Sequence, residues 1–519
     1  MKNFLRPLKL ACLAAASMLI VSCGGSADYR SILPADSFMT VSVNPASLMR
    51  KCEAGDLDQH PLYVRIKAEL DKDQNLSAEE KEYLLALLKN PGESGIDVKK
   101  DFFFFAAMEG TVDAPVMRGG LLLPIGDKAK FDALLARINE KSGVAPEIKG
   151  GVSVIDLGKE GDAGVLCAYN DIAFMVYFVQ NGADDLAGGV RKLFAQKSGE
   201  SLMGDKAVAE QLARKNDINM VLSYGEILPM MNNPMLSSMM DALKGAMMVG
   251  SVNFEKGRIV TEAAVSYKDK ESEAKMMDFY AYVKPQTGAL LRYVPAASIG
   301  AMSLGLNGEK LYSMLSAMPG YGMLMANPMV KQVMDAFSGD CVISFSGITP
   351  DRYPVASLLT QVKDPAVLQT IVSNLSGMPI QKAGEGEYTI SMGGVTVMFG
   401  VKGDVLYCTT DAVVKSALDG ADIESLASMS KIFKGQSGSF YVDFEGVNAL
   451  TAQLVGGNVD PQVEAALSVL AMFEDLEAYG TMKGGTAVVN MTDKEQNSFK
   501  TICDKIGELI RLYVPEANL

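Results

Sequence analysis

The sequence predicts an α+β fold made of two tandem duplicated halves, each an antiparallel sheet with helices packed on one face. The first observation is a repeat, because residues 32–37 recur in similar form as residues 293–298. The second is the succession of strand patterns without a βαβ series or a glycine-rich strand-to-helix turn, which disfavours a doubly wound nucleotide fold. The halves are predicted at about 28–290 and 291–519.

A smaller β-α-α-β-β-α unit recurs within each half. Its second helix is predicted to open on proline, whose missing N–H is not needed in the first helical turn. The four prolines are Pro61, Pro234, Pro328 and Pro461. Between the paired units, residues 151–176 and 387–408 alternate like antiparallel meanders.

The last helix of each unit is predicted to begin at an aspartate that follows a strand pattern. These aspartates are Asp127, Asp269, Asp364 and Asp493. An aspartate at this position accepts hydrogen bonds from the first free amides of the helix, so we interpret the four as structural caps. The alternative, a catalytic carboxylate set, requires them to meet in one pocket. No catalytic residue is predicted.

Cys23 is predicted to be the lipidation site of a lipoprotein. Lys2, Arg6 and Lys9 precede an uncharged, mostly apolar stretch over residues 10–22, which is typical of an export signal and too short for a spanning helix. Cleavage before Cys23 would remove residues 1–22 as a signal peptide and leave residues 23–30 as an acylated tether. The lipid, palmitate included, would be the contact with the membrane.

Charge and composition exclude several functions. Without the three signal cations the net charge is −14 − 3 = −17, which disfavours nucleic acid and anionic lipid surfaces as partners. Only one histidine is present, His60, so histidine-rich zinc sites are excluded, and so are most Ser-His and Cys-His dyads unless His60 is the base. Five widely spaced cysteines follow Cys23 without a C-x-x-C pair, and we predict free buried thiols rather than a disulfide framework. No cofactor is predicted.

One loop is a weak candidate for a calcium site. Oxygen ligands occur at loop positions 1, 3, 5 and 12 of an EF-hand-like spacing, which are Asp71, Asp73, Asn75 and Glu82. Position 6 is Leu76, where the sharp turn requires glycine. The competing interpretation is a capping box that starts the next helix at Ser77.

Methionines crowd two stretches, residues 230–248 and 314–334. Flexible thioethers fill irregular cores and also line adaptable apolar grooves, and both interpretations stay open.

Several signatures together resemble an uncharacterised domain-of-unknown-function lipoprotein family of gut Gram-negative anaerobes. They are the signal, residues 32–37 with 41–44, and residues 90–97 before the run 102–105. The resemblance implies an outer-membrane anchor and carries over no catalytic or binding residues. The family's bacteria are thought to mark surface lipoproteins with acids after the lipidated cysteine. Residues 24–28 contain only Asp28, which favours the periplasmic face over the cell surface.

We therefore expect a non-enzymatic envelope lipoprotein with a binding or scaffolding role, whose partner is an envelope protein or a hydrophobic ligand. The alternative is a carboxylate-dependent hydrolase acting on cell-wall or polysaccharide material. A hydrolase site should place acids in one half only, whereas a scaffold should show equivalent shallow surfaces in both halves.

Overall fold

The protein is mixed α+β with a large antiparallel sheet, as seen in a computed structural model. The structure describes residues 28–513 except 54–57, 59, 75, 112–113, 183–184, 229–242, 319, 376 and 456–459. It divides into two compact units. As far as they are described, residues 1–232, 244–256 and 495–519 form the first unit, and residues 233–243 and 257–494 form the second.

The described residues of the first unit form a sheet of nine strands flanked by helices. Its strands are β1 (Ser37–Val43), β2 (Phe102–Thr111), β3 (Ala114–Pro124), β4 (Glu147–Lys149), β5 (Val152–Glu160), β6 (Ala163–Tyr169), β7 (Ala173–Gln180), β8 (Ile218–Ser223) and β9 (Ala246–Glu255). Its α-helices are α1 (Pro45–Cys52), α2 (Pro61–Lys72), α3 (Ala78–Lys89), α4 (Lys128–Ser142), α5 (Leu186–Ala195), α6 (Lys206–Leu212), α7 (Tyr224–Ile227) and α17 (Ser498–Tyr513). All pairings are antiparallel, in the order β9–β8–β1–β2–β3–β7–β6–β5–β4.

In the second unit, the described residues form twelve strands. They are β10 (Arg258–Tyr267), β11 (Val283–Lys284), β12 (Gly300–Asn307), β13 (Phe337–Ile348), β14 (Pro354–Val362), β15 (Ile380–Gly384), β16 (Glu387–Met392), β17 (Val395–Lys402), β18 (Val405–Thr409), β19 (Gly438–Asp443), β20 (Phe473–Thr481) and β21 (Gly484–Met491). Eleven of them pair in the order β10–β21–β20–β19–β12–β13–β14–β18–β17–β16–β15, and β11 pairs with the end of β12.

The helices of the second unit connect these strands. They are α8 (Lys270–Phe279), α9 (Gly308–Ala317), α10 (Gly322–Met325), α11 (Pro328–Ala336), α12 (Val367–Asn374), α13 (Ala412–Leu418), α14 (Ser430–Phe433), α15 (Phe444–Val455) and α16 (Pro461–Leu470). Three helices begin at a predicted proline, namely α2 at Pro61, α11 at Pro328 and α16 at Pro461. Pro234 lies outside the described residues.

Helices cover both faces of each sheet, so the prediction that they pack on one face was wrong. In the first unit, Leu122 lies in a core with α5 and α6, and its neighbour Leu123 lies in a separate core with α4. In the second unit, Tyr407 packs with α13 on one face, whereas Leu406 packs against α12 on the other. The physical reason is that these strands carry apolar residues at consecutive positions, and consecutive strand residues point to opposite faces.

The compact units differ from the predicted halves in three segments. As far as they are described, residues 233–243 and 257–290 belong to the second unit, and residues 495–513 belong to the first. The predicted division was drawn from the repeated sequence, whereas the compact units are defined by contacts between residues in the folded chain. The duplication itself stays a prediction.

Candidate functional site

One face of the second unit carries a row of exposed side chains across five neighbouring strands. The row, called the apolar row below, consists of Phe440 on β19, Met302 on β12, Ile343 on β13, Leu358 on β14 and Cys408 on β18. Each residue is the direct cross-strand partner of the next, so their side chains stand on the same face as close neighbours. The first four are exposed by 38–46%, and Cys408 is exposed too.

The apolar row stays open because the covering helix stops short of it. The partner of Cys408 on β17 is Phe399, which is buried and packs with Leu368 of α12. On the reverse face, Val342 and Leu359 belong to a core that includes α13. The sheet is therefore supported from behind, while the row on its front lies beyond the reach of α12.

The first unit carries a comparable patch on the face that α4 covers in part. Phe104 of β2 is 47% exposed, and Met39, Met117 and Phe178 stand on the same face and are exposed by 37–40%. We call these four residues the first-unit patch. The Phe178 ring lies so close to Gly119 that a Cβ there would collide with it. The glycine therefore lets this ring settle against the strand.

Both surfaces are made of strand side chains in register. Contiguous exposed apolar patches are uncommon on soluble monomers and usually mark an interaction site. Small-molecule sites are concave and bury most of their ligand. A row of cross-strand partners on a sheet instead offers a shallow surface, which suits another protein surface better than an enclosed ligand.

A second candidate lies on the opposite face of the second unit, where β19 meets β20. Asp443 is the partner of Asp475, and Tyr441 is the partner of Glu477. Burial raises the pKa of Asp475, and burial together with the nearby Asp475 charge raises the pKa of Glu477. Burial and these carboxylates raise the pKa of Tyr441 to about 12. A carboxyl group that keeps its proton at higher pH is chemically suited to act as a general acid.

Three other aspartates, two buried and one half-buried, are fixed by hydrogen bonds. Asp217 accepts bonds from Ser47 Oγ at 2.6 Å, Lys51 Nζ at 2.5 Å and the Phe254 amide at 2.7 Å. Asp340 accepts bonds from the Thr287 amide at 2.8 Å and the Thr287 hydroxyl at 2.7 Å. In these two cases the carboxylate joins distant segments of one unit, which is a structural use.

The third aspartate, Asp101, is also held by hydrogen bonds, and its surroundings shift the pKa of its carboxyl group. It accepts hydrogen bonds from Asn44 Nδ2 at 3.0 Å and Ser42 Oγ at 3.2 Å. Burial nevertheless raises the pKa of the Asp101 carboxyl, because desolvation outweighs the two bonds.

Two of the four predicted caps bond the start of their helices. Asp127 accepts the Lys130 amide at 3.1 Å at the start of α4, and Asp269 accepts the Ser272 amide at 2.7 Å at the start of α8. Asp364 accepts the Ala366 amide at 2.9 Å in the turn that leads into α12 at Val367.

Asp493 is not the cap of α17, so this prediction was wrong. The helix begins at Ser498, and the side chain of Asn497 accepts the Phe499 amide at 3.0 Å. The reason is the attachment of residue 497 to β9. Asn497 forms an isolated antiparallel bridge with Lys256 and donates its Nδ2 to the Phe254 carbonyl at 3.1 Å, so the helix starts only after it.

The loop predicted as a weak calcium candidate contains the capping box of the competing interpretation. Ser77 and Glu80 form a complete capping box at the start of α3, with the Ser77 amide donating to Glu80 at 2.6 Å. Among the described residues there is no group of three or more His, Cys, Asp or Glu side chains placed to hold a metal ion, and Asp71, Asp73 and Glu82 are among those searched. Asn75 lies outside the described residues. The calcium site therefore stays a prediction.

The methionine-rich stretches give a mixed result. Residues 229–242 lie outside the described residues. In the other stretch, Met325 is buried, whereas Met323 is 93% exposed. This stretch is therefore neither wholly core nor wholly groove.

The sequence did not reveal the apolar row or the group formed by Asp443, Asp475 and Glu477, called the carboxyl cluster below, because both depend on strand register. The predicted lipidation site, Cys23, lies outside the described residues. In the part of the chain that the structure describes, no helix is long and apolar enough to span a membrane.

Comparison with known proteins gives one match. A family model described as a domain of unknown function, DUF4836, matches residues 29–434. Neither the curated proteins nor the solved structures contain a significant match.

Proposed function

We propose a role for this chain, which belongs to the DUF4836 family, a domain of unknown function. It is a lipid-anchored protein of the cell envelope, and it binds a protein partner through the apolar row. The observation that carries the binding role is the row itself, in which four apolar side chains in mutual register are each more than a third exposed. The first-unit patch offers a second surface of the same kind.

The envelope address rests on the sequence around Cys23. A basic leader, an apolar stretch and a cysteine after Ser22 favour cleavage and acylation, and the single acid Asp28 favours the periplasmic face of the outer membrane. Metabolic labelling with an alkynyl palmitate should label the natural protein and fail to label the Cys23→Ser variant. Loss of the protein when intact cells are treated with protease would place it on the cell surface instead.

Crosslinking tests the binding role. A photoreactive phenylalanine derivative is placed at Ile343 in the row and, as a matched control, at Met323, which is exposed but lies outside the row. Irradiation of intact cells should give a defined protein adduct from position 343 and none from position 323. Ile343→Asp, tested with the probe at position 358, should abolish the adduct, and Met323→Asp should not. Equal adducts from positions 343 and 323, or none, would contradict the proposal.

We also propose that the two halves, about 28–290 and 291–519, arose by duplication of an ancestral β-α-α-β-β-α module. The pairing order supports this, because β8–β1–β2–β3–β7–β6–β5–β4 in the first unit has the same pattern of connections as β19–β12–β13–β14–β18–β17–β16–β15 in the second. Structures of several family members would test it, since a true duplication should keep this order in both units of each.

A hydrolase acting on cell-wall or polysaccharide material is the second candidate. It is favoured by the carboxyl cluster, because the register positions of Asp475 and Glu477 in β20 are occupied by Met247 and Val249 in β9 of the first unit. The acids therefore occur in one unit only. Incubation of the mature protein with purified peptidoglycan and capsular polysaccharide should release soluble fragments, and Glu477→Gln should stop the release. The absence of product would remove this candidate.

A further inference from the structure

Two cysteines from opposite ends of the sequence meet in the first unit. Cys52 is the last residue of α1, and Cys503 lies in α17. The two helices pack on each other, and both thiols are half-buried. The two side chains neighbour each other in this interface, since each is the largest single influence on the pKa of the other. The position of these cysteines in the sequence gives no hint of this contact.

The start of α17 is held independently of the cysteines. The ring of Phe499 packs on that of Phe254 with centroids 4.9 Å apart, and Lys256 pairs with Glu495 at 2.5 Å. These contacts fix α17 next to β9, and Cys503 then falls against the end of α1. The thiol contact is therefore part of a packed helix interface and does not depend on a loose chain end.

We propose that Cys52 and Cys503 are a redox modification site that forms a reversible disulfide and ties α17 to α1. The oxidant is an external disulfide, supplied by a small molecule or by a thiol–disulfide exchange protein. The Cys52 thiolate attacks one sulfur of that disulfide and releases the first thiolate. The Cys503 thiolate then attacks the Cys52 sulfur and releases the second. The external disulfide is reduced to two thiols, and the two protein thiols are oxidised to one disulfide.

The surroundings suit this order of attack. The neighbouring Cys503 thiol lowers the pKa of the Cys52 thiol, and the nearby Lys500 cation acts in the same direction. The same contact raises the pKa of Cys503. Cys52 is therefore the better nucleophile, and Cys503 is placed to resolve the mixed disulfide.

The other described cysteines have no second cysteine beside them, so they can serve as controls for the proposed disulfide. Cys167 is buried, and burial raises the pKa of its thiol to about 12. Burial also raises the pKa of Cys341 and of Cys408, although the Cys408 residue is exposed. Cys408 is accessible to a small disulfide, so it serves as the matched unpaired cysteine.

Peptide mapping tests the proposal on the full mature chain with Cys23→Ser. The protein is equilibrated with oxidised and reduced glutathione, alkylated and digested with trypsin. We expect peptide 52–65 to be joined to peptide 501–505, and dithiothreitol to release both. Cys408→Ser should keep the joined pair. Cys52→Ser and Cys503→Ser should each lose it, and the remaining thiol should carry glutathione.

Two results would overturn the proposal. One is separate glutathione adducts on Cys52 and Cys503 in the otherwise natural chain. The other is two free thiols at these positions under conditions that modify Cys408. Thermal unfolding gives a second measurement, because oxidation should raise the unfolding midpoint of this chain and leave that of Cys52→Ser unchanged. An unchanged midpoint for the joined protein would mean that the bond does not hold α17 in place.

Discussion

Phe399 and Cys408 are cross-strand partners on β17 and β18, yet Phe399 is buried beneath α12 and Cys408 is exposed. One sheet face thus changes from core to open surface between two adjacent strands. The apolar row ends at this boundary. Beyond Cys408, its remaining residues lie on the uncovered side, and they are Leu358, Ile343, Met302 and Phe440.

The boundary predicts a contrast in stability between two phenylalanines. Phe399→Ala should lower the free energy of unfolding by about 3–5 kcal/mol, because it leaves a cavity under α12. Phe440→Ala should change it by less than about 1 kcal/mol, because its ring is already 42% exposed. Chemical denaturation of the two variants measures this. A large loss for Phe440→Ala would show that the row is part of the core.

The start of α4 predicts the effect of removing a cap. Asp127→Ala should lower the free energy of unfolding by about 1 kcal/mol, because the Lys130 amide loses its acceptor. Asp127→Asn keeps an acceptor at the same position and should restore most of the stability. Urea denaturation compares the three proteins, and equal stability of all three would contradict the capping role.

The half-buried Asp101 predicts a pH dependence of stability. Burial raises its pKa in the folded state, so the folded protein binds this proton more tightly than the unfolded chain does. Its contribution to stability is present below the unfolded pKa of about 3.9 and is lost as the pH rises through the higher folded pKa.

Asp101→Asn removes that titration. The stability difference between the variant and the natural protein should therefore shift in favour of Asp101→Asn as the pH rises through this window. Thermal unfolding of both proteins at a series of pH values between about 4 and about 7 measures this stability difference. A constant difference across the series would contradict the expectation.

Variants in the loop before α3 can distinguish calcium binding from helix capping. If the capping box is its whole role, Ser77→Ala should lower the free energy of unfolding by about 1 kcal/mol, and calcium should leave the unfolding midpoint unchanged. The measurement is thermal unfolding with calcium chloride and with chelator. A midpoint that rises with calcium in the natural protein and fails to rise in Glu82→Gln would instead establish the calcium site.

The sequence allowed the local features to be predicted better than the long-range ones. Helix starts at Pro61, Asp127 and Asp269 depend on neighbouring residues, and the structure has them as predicted. Asp493 failed because Asn497, held against β9, decides where α17 begins. The local pattern contains no information about that contact.

The apolar row and the cysteine pair could not have been predicted, because they depend on which distant segments become neighbours. Ile343 and Leu358 belong to strands whose apolar residues suggest burial on both faces, and only the end of α12 leaves them open. Cys52 and Cys503 meet only because α17 returns to the first unit.

That return has a consequence for biosynthesis. Most of the second unit, residues 257–494, is inserted into the sequence of the first between β9 and α17. As the polypeptide emerges from the ribosome, residues 257–494 become available for folding before α17 reaches β9. The first unit is therefore incomplete until α17 arrives, and the surfaces of α1 and β9 that bind α17 are uncovered until then.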